Sequence, residues 1–363
     1  MTVVGHGYDD NVGAPAFRNV IINGGMSVAQ RNTSVTSITS GGYYTADRWY
    51  ANAGSAGTWT QSVENDGPTG SGFRKSLKML CTTAATSLSA GANLDIYQAL
   101  EGQDLQRFTK GTSSAKQFAL SFWVKSNVTG TFVAWLADMD NTRSVGATYT
   151  ISASGVWEKK TIIFPADTTG VFDNDNAASL RLRFHLVAGS TYTSGTLNTL
   201  WATTVDANSA VGQVNLAAAI NNYWQITGVQ LEAGLVATPF EFEPFETTLR
   251  KCQRYYESSA TYGAYLGSAW LEATPFHVVP YSTSSAAVQI SFKVNKRVVP
   301  AVTNYSYNGI AGRYSYRDNA ADNTGPVTYA RISTTGIGVL INAANNWATN
   351  NPLWIGWIAE CEL

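Results

Sequence analysis

At 363 residues the chain exceeds what one hydrophobic core usually organises, so two domains are expected. Only 13% of its residues are charged and the net charge is -1 without blocks of one sign, which removes the footprint that nucleic acid or an anionic membrane would need. Cys81, Cys252 and Cys361 lie far apart with no paired Cys/His spacing, which argues against a disulfide scaffold and a zinc site. The surface must be built from Ser, Thr, Asn, Gly and Tyr, a neutral polar dress suited to presenting hydroxyls and amides outside the cell. No apolar run approaches the roughly 20 residues of a membrane span, and the N-terminus lacks a basic-then-apolar export pattern. A protein folded in a reducing cytosol and released by lysis is expected.

Residues 1–18 hold Gly5, Gly7, Gly13 and Pro15 with few apolar residues, and read as an anchoring tail. From Asn19 short apolar runs alternate with Gly, Asn, Asp and Ser breaks, the spacing of a β-sandwich. Phe118, Leu120, Phe122 and Val124 share one face of a strand, with Ser121, Trp123 and Lys125 on the other. A second strand is predicted over 157–164, and a third alternates Leu180, Leu182, Phe184 and Leu186 with Arg181, Arg183 and His185. The Gly, Ser, Thr and Asn-rich stretch 187–215 predicts a functional loop or an excursion at the rim. Trp224, Ile226, Val229 and Leu231 change face across Gly228, which predicts a bulge.

Pro239 and Pro244 with Phe240, Phe242 and Phe245 predict an extended close to the first domain. A short helix follows, with Thr248 as N-cap and Leu249, Cys252 and Tyr255 or Tyr256 on one face. Alternation resumes with Val288, Ile290, Phe292 and Val294, turns at 295–300, and continues to Trp354, Trp357 and Ile358. The predicted class is therefore all-β: a first sandwich over 19–245, a linker helix over 246–257, and a smaller C-terminal β-sandwich over 258–363. No period of 20 to 50 residues suggests a solenoid or propeller.

Three stretches resemble segments recurring in bacteriophage tail-fibre and receptor-binding proteins. The first runs from Asn19 through Asn23, Gly24, Gly25, Met26, Gln30 and Arg31 to Tyr44, Asp47, Arg48 and Trp49. The second joins Gln98, Glu101 and Gly102 to Leu120, Trp123, Lys125 and Ser126. The third runs from Ile226 through Gln230, Glu232 and Gly234, and through Pro239, Phe240 and Glu241, to Cys252, Gln253, Arg254, Tyr255, Tyr256 and Glu257. The segment Phe292 to Pro300 is similar to the terminal sandwich of such fibres. The resemblance implies that the first sandwich is a jelly roll similar to carbohydrate-binding modules. It also implies a homotrimer, and attachment to other virion proteins of a tail or capsid, here through residues 1–18.

The histidines give little for catalysis: His185 reads as a polar sheet-face residue and His277 as a packed loop residue. Asp138 with Asp140, and Glu241 with Glu243, are carboxyl pairs of the type a glycosidase needs, but neighbours in sequence seldom face each other across a sugar. Asp173 and Asp175 in an Asp-Asn-Asp-Asn tract offer hard oxygen ligands for a structural calcium, or a plain polar turn; no other cofactor is expected. Eleven tryptophans and 18 tyrosines point to sugar stacking. Trp123 and Trp135 are the candidates in the first sandwich. Tyr305, Tyr307, Arg313, Tyr314 and Tyr316 suit a distal recognition surface in the second. The expected protein is a non-enzymatic virion fibre, assembled in the host cytoplasm, that attaches to a glycan of the host surface. A capsid decoration protein and a polysaccharide-degrading enzyme are the alternatives.

Overall fold

The computed structural model describes residues 17–266, 276–278, 285–306, 309–318, 321–326, 328–342 and 353–363. Two antiparallel sheets form the larger sandwich. One has six strands, from edge to edge Ser34–Ile38, Thr58–Glu64, Ser76–Thr83, Tyr223–Ala233, Phe118–Ser126 and Glu158–Phe164. The other has seven: Ala202–Thr203, Arg143–Ile151, Gly130–Asp138, Ala178–Ala188, Asn93–Glu101, Tyr50–Gly54 and Gly42–Tyr43. Tyr223–Ala233 inserts between Ser76–Thr83 and Phe118–Ser126, two strands from far earlier in the chain, so the connections wind as a jelly roll.

Period-two alternation decides which side chains meet between the sheets. Phe118, Leu120, Phe122 and Val124 from one sheet and Leu180, Leu182, Phe184 and Leu186 from the other are all fully buried. Phe184 packs edge-on to Phe122 with ring centroids 5.0 Å apart. Each such side chain contributes about 1.5–3 kcal/mol by leaving water. Trp49, Trp59 and Trp224 are sunk in the same core. The bulge is present: the register shifts between Thr227 and Gln230, with Gly228 at φ 62°.

The linker helix spans Phe245–Gln253, with Pro244 rather than Thr248 as its N-cap. The Thr247 and Thr248 amides both bond the Pro244 carbonyl, so the turn closes four residues earlier than the hydroxyl-cap reading expects. Proline suits this place because its missing N–H would have no helical partner there. Cys252, on the predicted apolar face of this helix, is fully buried within the chain.

A second apolar cluster gathers Ile290, Ile337, Val339, Ile341, Ile355 and Trp357. Ser285–Ser291, Gly336–Asn342 and Thr328–Ile332 form a three-stranded sheet, facing strands arranged around Leu353–Glu360. The strand predicted to reach Val294 ends at Ser291, and the Phe292 amide turns to the Thr335 carbonyl. Among the described residues no helix is long and apolar enough to cross a membrane.

A buried ionic junction ties the two clusters together. Arg31 reaches Glu360 at 2.8 Å and Glu362 at 3.0 Å, while Arg48, fully buried and at φ 74°, pairs with Glu362 and the Ala99 carbonyl. The Arg48 guanidinium lies 3.5 Å from the centre of the Tyr255 ring. Glu101 accepts two bonds from Arg254, each 2.8 Å, and one from the Tyr255 hydroxyl. Burial opposes the Glu101 charge, but Arg254 and Tyr255 outweigh it and hold the carboxyl below its ordinary range.

Candidate functional site

The outer face of the seven-stranded sheet is the candidate site. Phe132, Ala134 and Leu136 point into the core, so Val133, Trp135 and Ala137 point out; the same alternation puts Arg181, Arg183 and His185, and Asp95 and Tyr97, on that outer face. Strand register then lines up Gly146, Trp135, Arg183, Tyr97 and Tyr50 in one row across five strands. A second row holds Thr148, Val133, His185, Asp95 and Asn52.

The rows interlock. The Arg183 guanidinium carbon lies 5.2 Å from the Trp135 ring centre and 5.6 Å from that of Tyr97, and Arg181 lies 5.0 Å from Tyr97 on its other side. Tyr97 stacks on Tyr50 at 4.8 Å, and Trp135 tilts toward His185 at 6.0 Å. Asn52 donates to Asp95 at 3.0 Å. Arg183 Nε sits 3.3 Å from Asp95 Oδ1, close enough for an ion pair but too poorly aligned for a hydrogen bond. Burial and the Arg183 charge hold the His185 imidazole well below its ordinary value, so it is neutral at physiological pH. Burial lifts the Asp95 carboxyl above its ordinary range despite Arg183.

Six buried polar atoms on this face lack a hydrogen-bond partner: Asp95 Oδ1, Trp135 Nε1, Ser144 Oγ, Arg181 Nε, Arg183 Nε and His185 Nε2. Buried polar atoms are nearly always satisfied, and each one left alone costs about 1–3 kcal/mol. All six are shut off from solvent, and two of them, Asp95 Oδ1 and Arg183 Nε, face each other in the ion pair above, so the cost of this polar layer lies beneath the surface that Tyr50, Asn52, Arg181 and Arg183 present.

The 187–215 stretch forms one bank of this face. It contributes the edge strand Ala202–Thr203, and the Gly146 amide donates to the Asn198 carbonyl at 2.6 Å. A Cβ at Gly146 would lie 2.7 Å from Leu197 and 3.4 Å from Trp135, so only glycine lets the bank approach. Trp135 is consequently only 4% exposed, a floor beneath Arg183 and not the open platform expected of it. The accessible ligand-facing groups are Tyr50, Asn52, Arg181 and Arg183, all half-buried. Sequence reasoning placed His185 and the two arginines on a polar face but missed Tyr97, Tyr50 and Asp95, whose partners come from distant strands.

The other candidates fall elsewhere. Trp123 is half-buried on the outer face of the opposite sheet. Tyr314 is 1% exposed and belongs to the second core, so it is no part of a recognition surface. Tyr305 is half-buried and Arg313 exposed. Tyr307 and the side chain of Tyr316 lie outside the described residues. Asp173 and Asp175 have exposed side chains, and Asp175 accepts the Ala177 amide at 2.9 Å, closing a turn. Among the described residues no group of three or more His, Cys, Asp or Glu side chains converges as a metal site. Asp138 is engaged by the buried ammonium of Lys110, which also lies 3.0 Å from Asp167. Asp140 accepts the Asp173 amide, Glu241 those of Phe17 and Asn19, and Glu243 pairs with Lys251.

No protein-family model matches the sequence, and no curated protein does. Among solved structures, the chain is similar to the enzymatically active domain of bacteriophage CBA120 tailspike protein 4, at 14% identity and TM-score 0.31. That alignment covers 60% of this chain and 21% of the tailspike chain. It is also similar to a family 11 carbohydrate-binding module from Clostridium thermocellum solved with a mixed-linked tetrasaccharide, at 11% identity and TM-score 0.29, covering 57% of this chain and 99% of the module. A xylan-binding domain from Paenibacillus barcinonensis aligns at 11% identity and TM-score 0.26, covering 58% and 98%. At such scores these likenesses carry no functional weight.

Proposed function

We propose that this chain is a non-catalytic glycan-binding subunit of a bacteriophage particle, which holds host-surface sugar on the outer face of its seven-stranded sheet. The observation that carries the reading is the group of half-buried Tyr50, Asn52, Arg181 and Arg183, lined up by strand register over the Trp135 and Tyr97 rings on one face. Sugar rings present apolar faces to tyrosine and guanidinium planes, and their hydroxyls both donate and accept, as the Asn52 amide and the two guanidinium groups require. Arg181 and Arg183 outnumber Asp95 in charge, so neutral and acidic sugars both fit. The virion assignment and homotrimeric assembly rest on the phage-like segments over 19–257, with the low-charge, hydroxyl-rich surface in support.

The test is affinity electrophoresis against a panel of bacterial surface polysaccharides. Arg183→Met and Tyr50→Ala are each expected to weaken the retained glycan about tenfold, or about 1.4 kcal/mol, with the native fold retained by circular dichroism. Retention that survives both substitutions removes this face as the binding site. Sedimentation at low concentration tests the trimer; a monomer rejects the fibre reading.

A further inference from the structure

The outer face of the six-stranded sheet has a different chemistry. Residues 233–243 double back over it as a strap: Glu232 accepts the Thr238 amide at 2.7 Å, and Gln230 accepts the Glu241 amide at 2.8 Å. The strap brings Phe240 and Phe242 against Phe73, with centroids 4.8, 5.1 and 4.9 Å apart around the triad. These rings make a ridge between two clefts. The first, of 460 Å³, has Trp123 and Pro239 in its walls and Lys159 at its rim. The second, of 340 Å³, has Arg74 and Lys75 in its wall and Phe245 at its far side. Phe242 is 59% exposed on top of the ridge.

Two features select the occupant. Phenylalanines dominate the ridge and the first cleft, where Ser71 is already committed to the Pro68 carbonyl, so that cleft has little to read the hydroxyls of a sugar; the second adds Asn19, Asn23, Ser27 and Thr248 to its wall. Meanwhile Lys159, Arg74 and Lys75 pair with no described carboxylate, whereas Glu232, Glu241 and Glu243 are held by Thr238, by the Phe17 and Asn19 amides, and by Lys251. The ridge and first cleft are apolar with Lys159 at one end; at the other, Arg74 and Lys75 share the second cleft with Glu243, which Lys251 neutralises, and Glu241, which two backbone amides hold, so the cations are in excess there by one.

We propose that this double cleft docks an extended acidic peptide segment of a partner protein, seating one bulky apolar side chain on each side of the Phe73, Phe240 and Phe242 ridge. Its carboxylates meet Lys159 at one end and Arg74 and Lys75 at the other. The proposal is independent of sugar binding on the opposite sheet.

Selection of a random dodecapeptide display library on the whole chain tests it. Enriched sequences are expected to carry two bulky apolar residues flanked by acids, and a synthetic consensus peptide should lose about tenfold in affinity on Phe242→Ser and about fivefold on Lys159→Glu. Both side chains are exposed, so melting temperature and polysaccharide retention should not move. No enrichment, enrichment without acidic residues, or affinity unchanged in both variants overturns the proposal. Self-association by sedimentation that Phe242→Ser abolishes also overturns it, since a second copy would then cover the ridge.

Discussion

Trp123 and Trp135 leave strands of nearly identical pattern, each on the outward side of a row of buried apolar residues, yet the faces they join are unlike. Trp135 lies in a lattice of arginine, tyrosine and histidine in which several buried polar atoms lack hydrogen-bond partners. Trp123 lies beneath a strap whose own polar groups are satisfied and whose phenylalanines face outward. What differs is the segment that crosses each sheet. The 187–215 excursion docks at one edge through Leu197 and Asn198 and leaves the rest of its face open, while the proline-anchored strap lies across the middle of the other. Strand alternation decides inside from outside; the loop passing overhead decides what the outside is for.

Truncating the two tryptophans breaks this comparison most directly. Trp135→Ala, at a buried floor, is expected to cost about 3–5 kcal/mol in denaturant unfolding, and Trp123→Ala roughly half of that. Equal losses would place both rings at the same depth. Gly228→Ala comes next: at φ 62°, with a Cβ 2.6 Å from Phe73, it should cost about 1–3 kcal/mol and weaken peptide docking without touching polysaccharide retention. The smallest effect separates the faces by pH. Burial lifts the Asp95 carboxyl, so its contribution to stability is full below the ordinary carboxylate value and fades as pH rises through the lifted one. Asp66 is the reverse: burial opposes its charge, but Lys125, Trp157 and Gln225 outweigh it and lower the value. Its contribution is present above the ordinary value and is lost as pH falls through the lowered one. Melting curves from about pH 3 to about pH 7 should therefore show Asp95→Asn gaining on the parent as pH rises and Asp66→Asn falling behind it. Parallel curves would mean the two carboxyls share one environment.

The phage-like segments acquire a physical meaning that their sequence does not display. Arg31, Asp47, Arg48, Glu101, Arg254 and Tyr255 come from all three stretches and converge on one buried junction with Glu360 and Glu362. Their partners stand up to 331 positions apart, so no local pattern relates them. The helix starts ahead of its best hydroxyl cap for a related reason: Thr248 is a good cap by propensity, but Pro244, fixed in φ, offers a carbonyl that closes the turn first. Tyr314 reads as a surface residue in sequence because aromatic alternation alone does not tell which side of a strand the second core occupies.

The sequence by itself determined the all-β class, the inward faces of the central strands, the bulge at Gly228 and the polar side holding Arg181, Arg183 and His185. These follow from the period of two in a strand and from the conformational freedom of glycine, both local. Tertiary structure alone decided that Trp135 would sink, that Tyr50 and Tyr97 would extend its row, that the strap would build a second cleft over Trp123, and that six distant charged or phenolic residues would lock the C-terminus to the jelly roll. Those outcomes depend on register between strands and on which loop crosses which face, and both are set only when the sheets close on each other.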